Sequence, residues 1–425
     1  MSADQPRPPM LAGVRVLDLT SVILGTYATQ MLGDLGADVV KIEQPPAGDG
    51  SEPGGDIMRW GGAGAKGGSP GMGPLFMAYN RNKRSVCLDL KDEKDRATLL
   101  ALAARADIFA SNIRLASLEK LRLGYREISA RKADIVYLHA AGFGSGGPYA
   151  GQAAYDEMIQ GAAGLADLIP RARGGGAPAY LPTLAGDKTA ALFMVYAALA
   201  ALYHRQRTGE GQFVEVPMFE CLTHYNMSEN LYGHIFDPAT GEYGYNRILN
   251  PDRRPYRTAD GWIGVSPYSD RNWRDFFALA GREAEFAADP RFNTYASRIS
   301  NIAALYAMVE DITLTRTTDE WLGLLAERSI PATRIHRLDT IMDDPHLAAT
   351  GFFAPAEHPS EGRLVDMKHP VRFSAAPAGR QVPAGAAEKR TKVAGARRLP
   401  QSRRPSIMQA NQTRALRGEI HPCRK

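Results

Sequence analysis

V-R-V-L-D-L-T-S-V-I-L-G-T-Y-A-T-Q-M-L-G-D-L-G-A-D-V-V-K-I-E, residues 14–43, decides the fold class. Val14 to Thr20 form a short apolar strand. Thr26 to Gly36 then place Met31, Leu32 and Leu35 at helical spacing, and Ala37 to Glu43 return to strand character. A strand, a helix and a strand in this order make a βαβ unit, which implies parallel strands joined by a right-handed crossover. The turn after the first strand offers only Gly25 where a dinucleotide fingerprint needs three glycines. NAD is therefore disfavoured, while an adenine nucleotide of another kind is not.

The same alternation continues outward. A helix over Asp92 to Arg105 precedes a strand over Ala106 to Asn112, a helix runs through Leu118 to Leu121, and A-D-I-V-Y-L-H-A-A is a further strand ending at Ala141. The expected fold is α/β, a large Rossmann-like doubly wound domain with a mostly parallel sheet. Ligands on such sheets sit beyond the carboxyl ends of the strands, where Glu43, Asn112 and the loop from Gly142 fall. Residues 48–75, rich in Gly and Pro, read as a long surface loop and a candidate substrate lid. Arg81, Lys83 and Arg84 precede another strand and suit phosphate binding, although a solvated basic turn has the same composition.

Beyond the last of these strands lies G-F-G-S-G-G-P-Y-A-G-Q-A-A-Y-D-E-M-I-Q-G-A-A-G, residues 142–164. Glycines such as Gly142 and Gly144 let a ligand approach main-chain N–H groups, so the loop can hold a developing oxyanion. Asp156 follows at the start of a helix packed by small residues. It reads either as a nucleophile or as an acidic first-turn residue that suits the helix dipole.

The composition, 44% hydrophobic and 23% charged over 425 residues, is that of an enzyme-sized globular chain of two domains or more. No uninterrupted apolar run reaches membrane-span length and the N-terminus lacks a signal-peptide core, so a cytoplasmic location without membrane association is expected. Cys87, Cys221 and Cys423 are far apart and odd in number, against a disulfide framework or a zinc site. The net charge of +5 resides in the tail: residues 389–425 hold eleven Lys or Arg and one acid, Glu419, leaving −5 before them. That distribution disfavours nucleic acid as a partner of the folded part and marks residues 386–425 as a basic, disordered tail.

Eight blocks now stand in order: L-D-L-T-x-V-x-x-G, L-G-D-L-G-A-D-V-V-K-I-E, N-R-N-K-R-S-V-x-L-D-L-K, A-D-I-x-x-x-N, G-F-G-x-x-G-P-Y, A-Y-D-x-x-x-Q-x-x-x-G, R-T-G-E-G-Q-x-V-x-V and P-Y-R-T-A-D-G-W-I. From about Leu11 to about Pro377 the chain resembles the class III CoA-transferases (CaiB/BaiF), the family of formyl-CoA transferase, carnitine CoA-transferases and alpha-methylacyl-CoA racemase. The resemblance implies transfer of CoA between an acyl-CoA thioester and a free carboxylic acid. Asp156 would act as nucleophile, through a mixed anhydride and an aspartyl-CoA thioester, with neither metal nor NAD. By position it assigns Val22 and Ile23 to the pantetheine path, Gln44 to the neighbourhood of the adenine, and Lys83, Asn112, Ile113 and Lys120 to the nucleotide. Gln44 replaces an expected Arg, and Ile23 and Phe143 replace the polar residues of formyl-CoA transferase, which argues for a less polar or differently held acyl group.

Two alternatives remain. In the racemase branch a His precedes the aspartate and a second acid lies near the D-G block, whereas here those positions hold Tyr155 and Arg257, and only Asp187 matches. A CoA-binding scaffold without turnover is the other. The resemblance also implies an interlocked homodimer. The expected layout is a large CoA-binding domain over 1–210, a linker over 211–230, a small α+β domain over 231–335, and a return linker with the end of the large domain over 336–385. The family's usual P-x-L-G-E-H-T-like ending is replaced by Q-V-P-A-G-A-A-E-K-R-T-K-V and the basic tail.

Overall fold

The computed structural model describes residues 8–379, apart from 52, 66 and 377. The tail expected over 386–425 lies outside the described residues.

Six strands form the main sheet: β1 (Arg15–Leu19), β2 (Asp38–Glu43), β3 (Lys83–Cys87), β4 (Ile108–Ser111), β5 (Val136–Ala141) and β6 (Gln212–Pro217). They lie in the order β3-β2-β1-β4-β5-β6 and every pairing is parallel. Both faces are covered, which is why the strands read as near-continuous apolar runs. Val16, Ile108, Val136 and Leu138 pack with the helices Leu24–Asp34 and Ala185–Thr208. The alternate residues Phe109 and Tyr137 stack at 4.8 Å, with Tyr125 edge-on to Tyr137, as the period of two requires.

Strand order reverses between β1 and β4, so the doubly wound expectation is met and a crevice opens at the carboxyl ends of those strands. The segment 211–230 is not a linker. It contains β6, which pairs with β5 along its whole length, and the helix Met218–Asn230, whose Cys221 and Leu222 join the main core.

Ala185–Thr208, 24 residues long, is apolar enough by length and composition to cross a membrane, although its uninterrupted apolar run covers only Ala190 to Tyr203. Here its Ala190, Ala191, Met194, Ala198 and Ala201 face the core, and Gly209 ends it in the left-handed conformation with Arg205 and Arg207 in the last turn.

A second body follows. Strands β7 (Tyr256–Arg257), β8 (Trp262–Val265) and β9 (Ala332–Arg334) form a small antiparallel sheet. Helices Asp270–Leu279, Ile302–Thr313 and Thr318–Glu327 close around Trp273, Phe276, Phe277, Phe286, Phe292 and Trp321. The chain then forms the hairpin β10 (Phe353–His358) and β11 (Gly362–Met367) and returns to the main sheet. Arg81 clasps it there, donating to Asp34 at 2.6 Å, to Asp366 at 3.2 Å and to the Met367 carbonyl at 3.0 Å. Asn82 donates to the Gly379 carbonyl, and the Gly379 N–H to the Asp34 carbonyl.

The basic turn before β3 is thus structural. Arg81 is buried in the clasp, and Arg84 pairs with Asp38 at the surface. The loop over 48–75 is likewise pinned, against the lid expectation. Arg59 forms a two-pronged pair with Glu43 at 2.7 Å and lies 3.7 Å over the Phe76 ring. Asp56 pairs with Lys41 at 3.1 Å, and farther along the Ser69 N–H donates to Glu361 from the return hairpin.

Candidate active site

Asp156 is the first residue of the helix Asp156–Ala162, entered through Tyr155 in extended conformation, and is only 3% exposed. The Asp187 N–H donates to its Oδ1 at 2.9 Å and Gln160 Nε2 donates to its Oδ2 at 2.6 Å. Gln160 is fixed in turn: the Leu181 N–H donates to its Oε1 at 2.8 Å, and its Nε2 also reaches the Thr183 carbonyl at 3.1 Å. The D-x-x-x-Q spacing produces this geometry, since residues four apart share one helix face. Asp187 belongs to the first turn of Ala185–Thr208, so two helix N-termini converge on one carboxylate, a placement that favours negative charge. At Gly186 a β-carbon would lie 3.2 Å from Asp156 Oδ1 and 3.3 Å from Met218 Sδ, tighter than ordinary contact, and glycine permits the approach.

The Asp187 carboxyl lies near the backbone of Leu24, at a third helix end. Burial, with the neighbouring carboxylates of Asp156 and Glu157, pushes it up to about 7.

The glycine loop differs from expectation. The Gly144 N–H donates at 2.9 Å to Glu220, and Ser145 donates through its N–H and Oγ to Glu215. These donors are already held by carboxylates from β6 and the helix after it, so Gly144 presents no free N–H to an oxyanion. Gly142 accepts the Phe219 N–H at its carbonyl, and a β-carbon there would come 2.5 Å from that of Ala154. Its absent side chain lets the strand end pass close to the segment that delivers Asp156.

Over the carboxyl ends of β1, β2 and β3, with Ile113 from beyond β4, lies a cleft of about 420 Å³, walled by Thr20, Ser21, Gln44, Asp56 and Lys91, among others. Gln44 and Ile113, assigned by resemblance to the nucleotide, line it. Asn112 braces its wall, accepting the Ser21 N–H at 3.0 Å and donating to the Ser21 carbonyl at 2.8 Å. Val22 holds a left-handed φ of 65°, costly for a β-branched residue, and its N–H is tied to Asp56 Oδ1 at 3.2 Å.

Three other assigned residues lie elsewhere. Ile23 is 2% exposed and packed inside. Lys83 is buried, with its ammonium contacting Asp18 at 3.0 Å, the Thr26 carbonyl at 2.8 Å and Asn80 at 2.9 Å, which occupies all three of its donors. Lys120 is exposed at the end of the helix Leu115–Lys120, beside the cleft residue Leu121. Sequence reasoning missed Lys91, an exposed cation on the cleft wall just past β3, for which only its place beyond a strand end gave a signal.

The segment from the cleft residue Ser21 leads directly into the helix Leu24–Asp34, whose first residue lies near the Asp187 carboxyl. A buried carboxylate oriented by two donors can attack a carbonyl brought to it.

Comparison with known proteins agrees. The chain is 32% identical over 345 residues to the succinyl-CoA:mesaconate CoA-transferase of Haloarcula hispanica, covering 79% of this chain and 83% of that protein. It is 29% identical over 384 residues to the succinate–glutarate CoA-transferase of Agrobacterium fabrum, covering 88% and 92%. Among solved structures, Rv3272 of Mycobacterium tuberculosis superposes with a TM-score of 0.77 at 28% identity, covering 90% of this chain and 98% of that one. A CaiB/BaiF family protein of Brucella suis superposes at 0.73 with 30% identity, covering 90% and 97%. The profile of CoA-transferase family III matches residues 11–388. With the crevice, the buried aspartate and this match over most of its length, the chain belongs to CoA-transferase family III.

Proposed function

We propose that Asp156 is the nucleophile of an acyl-CoA:carboxylate CoA-transferase, and that the cleft over the carboxyl ends of β1, β2 and β3 receives the CoA nucleotide with Lys91 toward its phosphates. The observation that carries this reading is the Asp156 carboxylate, held between the Asp187 N–H and Gln160 Nε2. Its oxygen attacks the thioester carbonyl and expels the CoA thiolate, giving a mixed anhydride. The thiolate returns to form an aspartyl-CoA thioester and release the acid, and an acceptor carboxylate runs these steps in reverse. One thioester replaces another, so the site's task is positioning, oxyanion stabilisation and exclusion of water. The relatives' substrates suggest a succinyl-CoA-type donor and a dicarboxylic acceptor.

The working unit is a homodimer. Leu192, Tyr196 and Tyr203 on the outer face of Ala185–Thr208, with Tyr225, Ile235 and Phe236, are each more than half exposed in one copy, an apolar surface that a second copy would cover.

Incubation with a panel of acyl-CoA thioesters, followed by hydroxylamine and peptide mass spectrometry, tests the covalent route. A hydroxamate at Asp156, dependent on acyl-CoA and lost in Asp156→Ala, is expected. No adduct, together with exchange of the α proton into deuterated water, would move the reading to a racemase.

A further inference from the structure

Asp187 is the group closest to the nucleophile that the reaction above leaves idle. Its N–H holds Asp156 Oδ1, and its carboxyl lies near the first residue of the helix Leu24–Asp34. Asp156 and Glu157 face it from the helix Asp156–Ala162. Tyr79 faces it from the end of the helix Pro74–Tyr79, with Tyr27 packed edge-on to Tyr79 at 5.3 Å. On its own helix, Lys188 is turned aside to Thr183. The carboxyl thus stands among acids and tyrosines, on the residue whose N–H holds Asp156.

We propose that the Asp187 carboxyl carries the proton that the CoA sulfur gains and returns during transfer. This rests on the covalent route through Asp156. In the resting site Asp156 is the anion and Asp187 holds its proton. Attack forms the C–O bond of the anhydride and breaks the C–S bond, so the electron pair leaves on sulfur and Asp156 loses its charge. The repulsion that kept the proton on Asp187 vanishes, and the proton passes to sulfur, giving CoA thiol and an Asp187 carboxylate. One negative charge is present before and after. Asp187 then takes the proton back, and the thiolate attacks the aspartyl side of the anhydride. The new C–S bond forms, the C–O bond breaks and the product carboxylate leaves. The affinities suit this exchange: the Asp187 carboxyl sits at about 7 while Asp156 is charged, and an ordinary thiol sits near about 8.5.

The test uses the full-length enzyme with the best donor and acceptor from the thioester panel, starting with succinyl-CoA and glutarate. Rates are measured from pH 5.5 to 8.5, in water and in deuterium oxide. Wild type should lose kcat/KM about tenfold per pH unit above about pH 7 and show a solvent isotope effect. Asp187→Asn keeps the shape of the side chain and the backbone N–H that holds Asp156. It should lower kcat about 100-fold with KM for acyl-CoA within about twofold, flatten the alkaline limb and abolish the isotope effect. Asp187→Glu should recover part of the rate and the limb. A wild type with neither limb nor isotope effect overturns the proposal without any variant, as does an Asn variant with unchanged kcat and limb or one altered only in KM. If wild type itself yields no Asp156 hydroxamate, the covalent route fails. If it does and Asp187→Asn turns over equally well, only the role of Asp187 fails.

Discussion

The two ends of the crevice handle charge in opposite ways. At the cleft end, among the described residues, the deeply buried carboxylates each have a cation: Asp18 with Lys83, Asp56 with Lys41, and Glu43 with Arg59. At the Asp156 end Asp156, Asp187 and Glu157 crowd together, and the bonds holding Asp156 come from the Asp187 N–H and the Gln160 side chain. Paired charges cost little to keep and hold a wall in place, whereas carboxylates held by dipoles keep their capacity to react or exchange a proton. The contrast separates scaffold from chemistry within one layer of the molecule.

The sharpest way to break it is Asp156→Ala. Turnover should fall by at least about 10³-fold, since the variant removes the nucleophile. The thermal midpoint should hold or rise, because the deletion also relieves crowding with Asp187. Exchange assays and differential scanning fluorimetry report the two halves of that expectation.

Arg59→Ala should show the reverse pattern. Leaving Glu43 buried and unpaired costs about 3–5 kcal/mol, read as a lower urea midpoint, while protein that remains folded at low temperature keeps its Asp156 hydroxamate. Substituting Glu43→Leu in the same chain should recover most of the stability.

Gln160→Leu tests orientation alone. It removes one of two donors to Asp156, and kcat should drop about 10- to 100-fold with little change in KM, by comparison with deletion of single positioned hydrogen bonds.

The smallest effect concerns pH and stability. Burial would raise Glu43, but the Arg59 hydrogen bond and charge bring it down to about 2, so its contribution is complete above the unfolded value of 4.5 and is lost as pH falls toward 2. Asp187 lies above its unfolded value of 3.8, so its contribution is full below that value and is lost as pH rises through about 7. Asp187→Asn should therefore gain stability over wild type between pH 4 and pH 8, by about 2 kcal/mol or less, since partial solvent access weakens the linkage. Urea midpoints at the two pH values measure it.

Most of this layout is legible in the sequence because it is local. Strands β1 to β5 and their helices follow from apolar runs and 3.6-residue spacing, and Asp156 and Gln160 lie one helical turn apart. What was misread is non-local. Arg81 and Lys83 look like phosphate ligands by residue type, yet Asp34 is 47 positions from Arg81, and Asp18 is as remote from Lys83 as one strand of the sheet from another. Gly144 looks like an oxyanion donor until Glu220, 76 residues later, takes its N–H. The strand character of residues 212–217 is visible, but their place as the sheet's last strand depends on pairing with β5, which periodicity does not encode.

The Arg81 clasp joins positions 285 residues apart, and Asn82 meets Gly379 across 297. During synthesis the loop of chain between them stays open until nearly all the described residues have left the ribosome. Anything encircled by that loop, including a second copy of the chain, must be captured at birth. Once the buried Arg81–Asp34 pair has formed, two mature populations carrying different tags should remain unmixed unless the clasp is first undone.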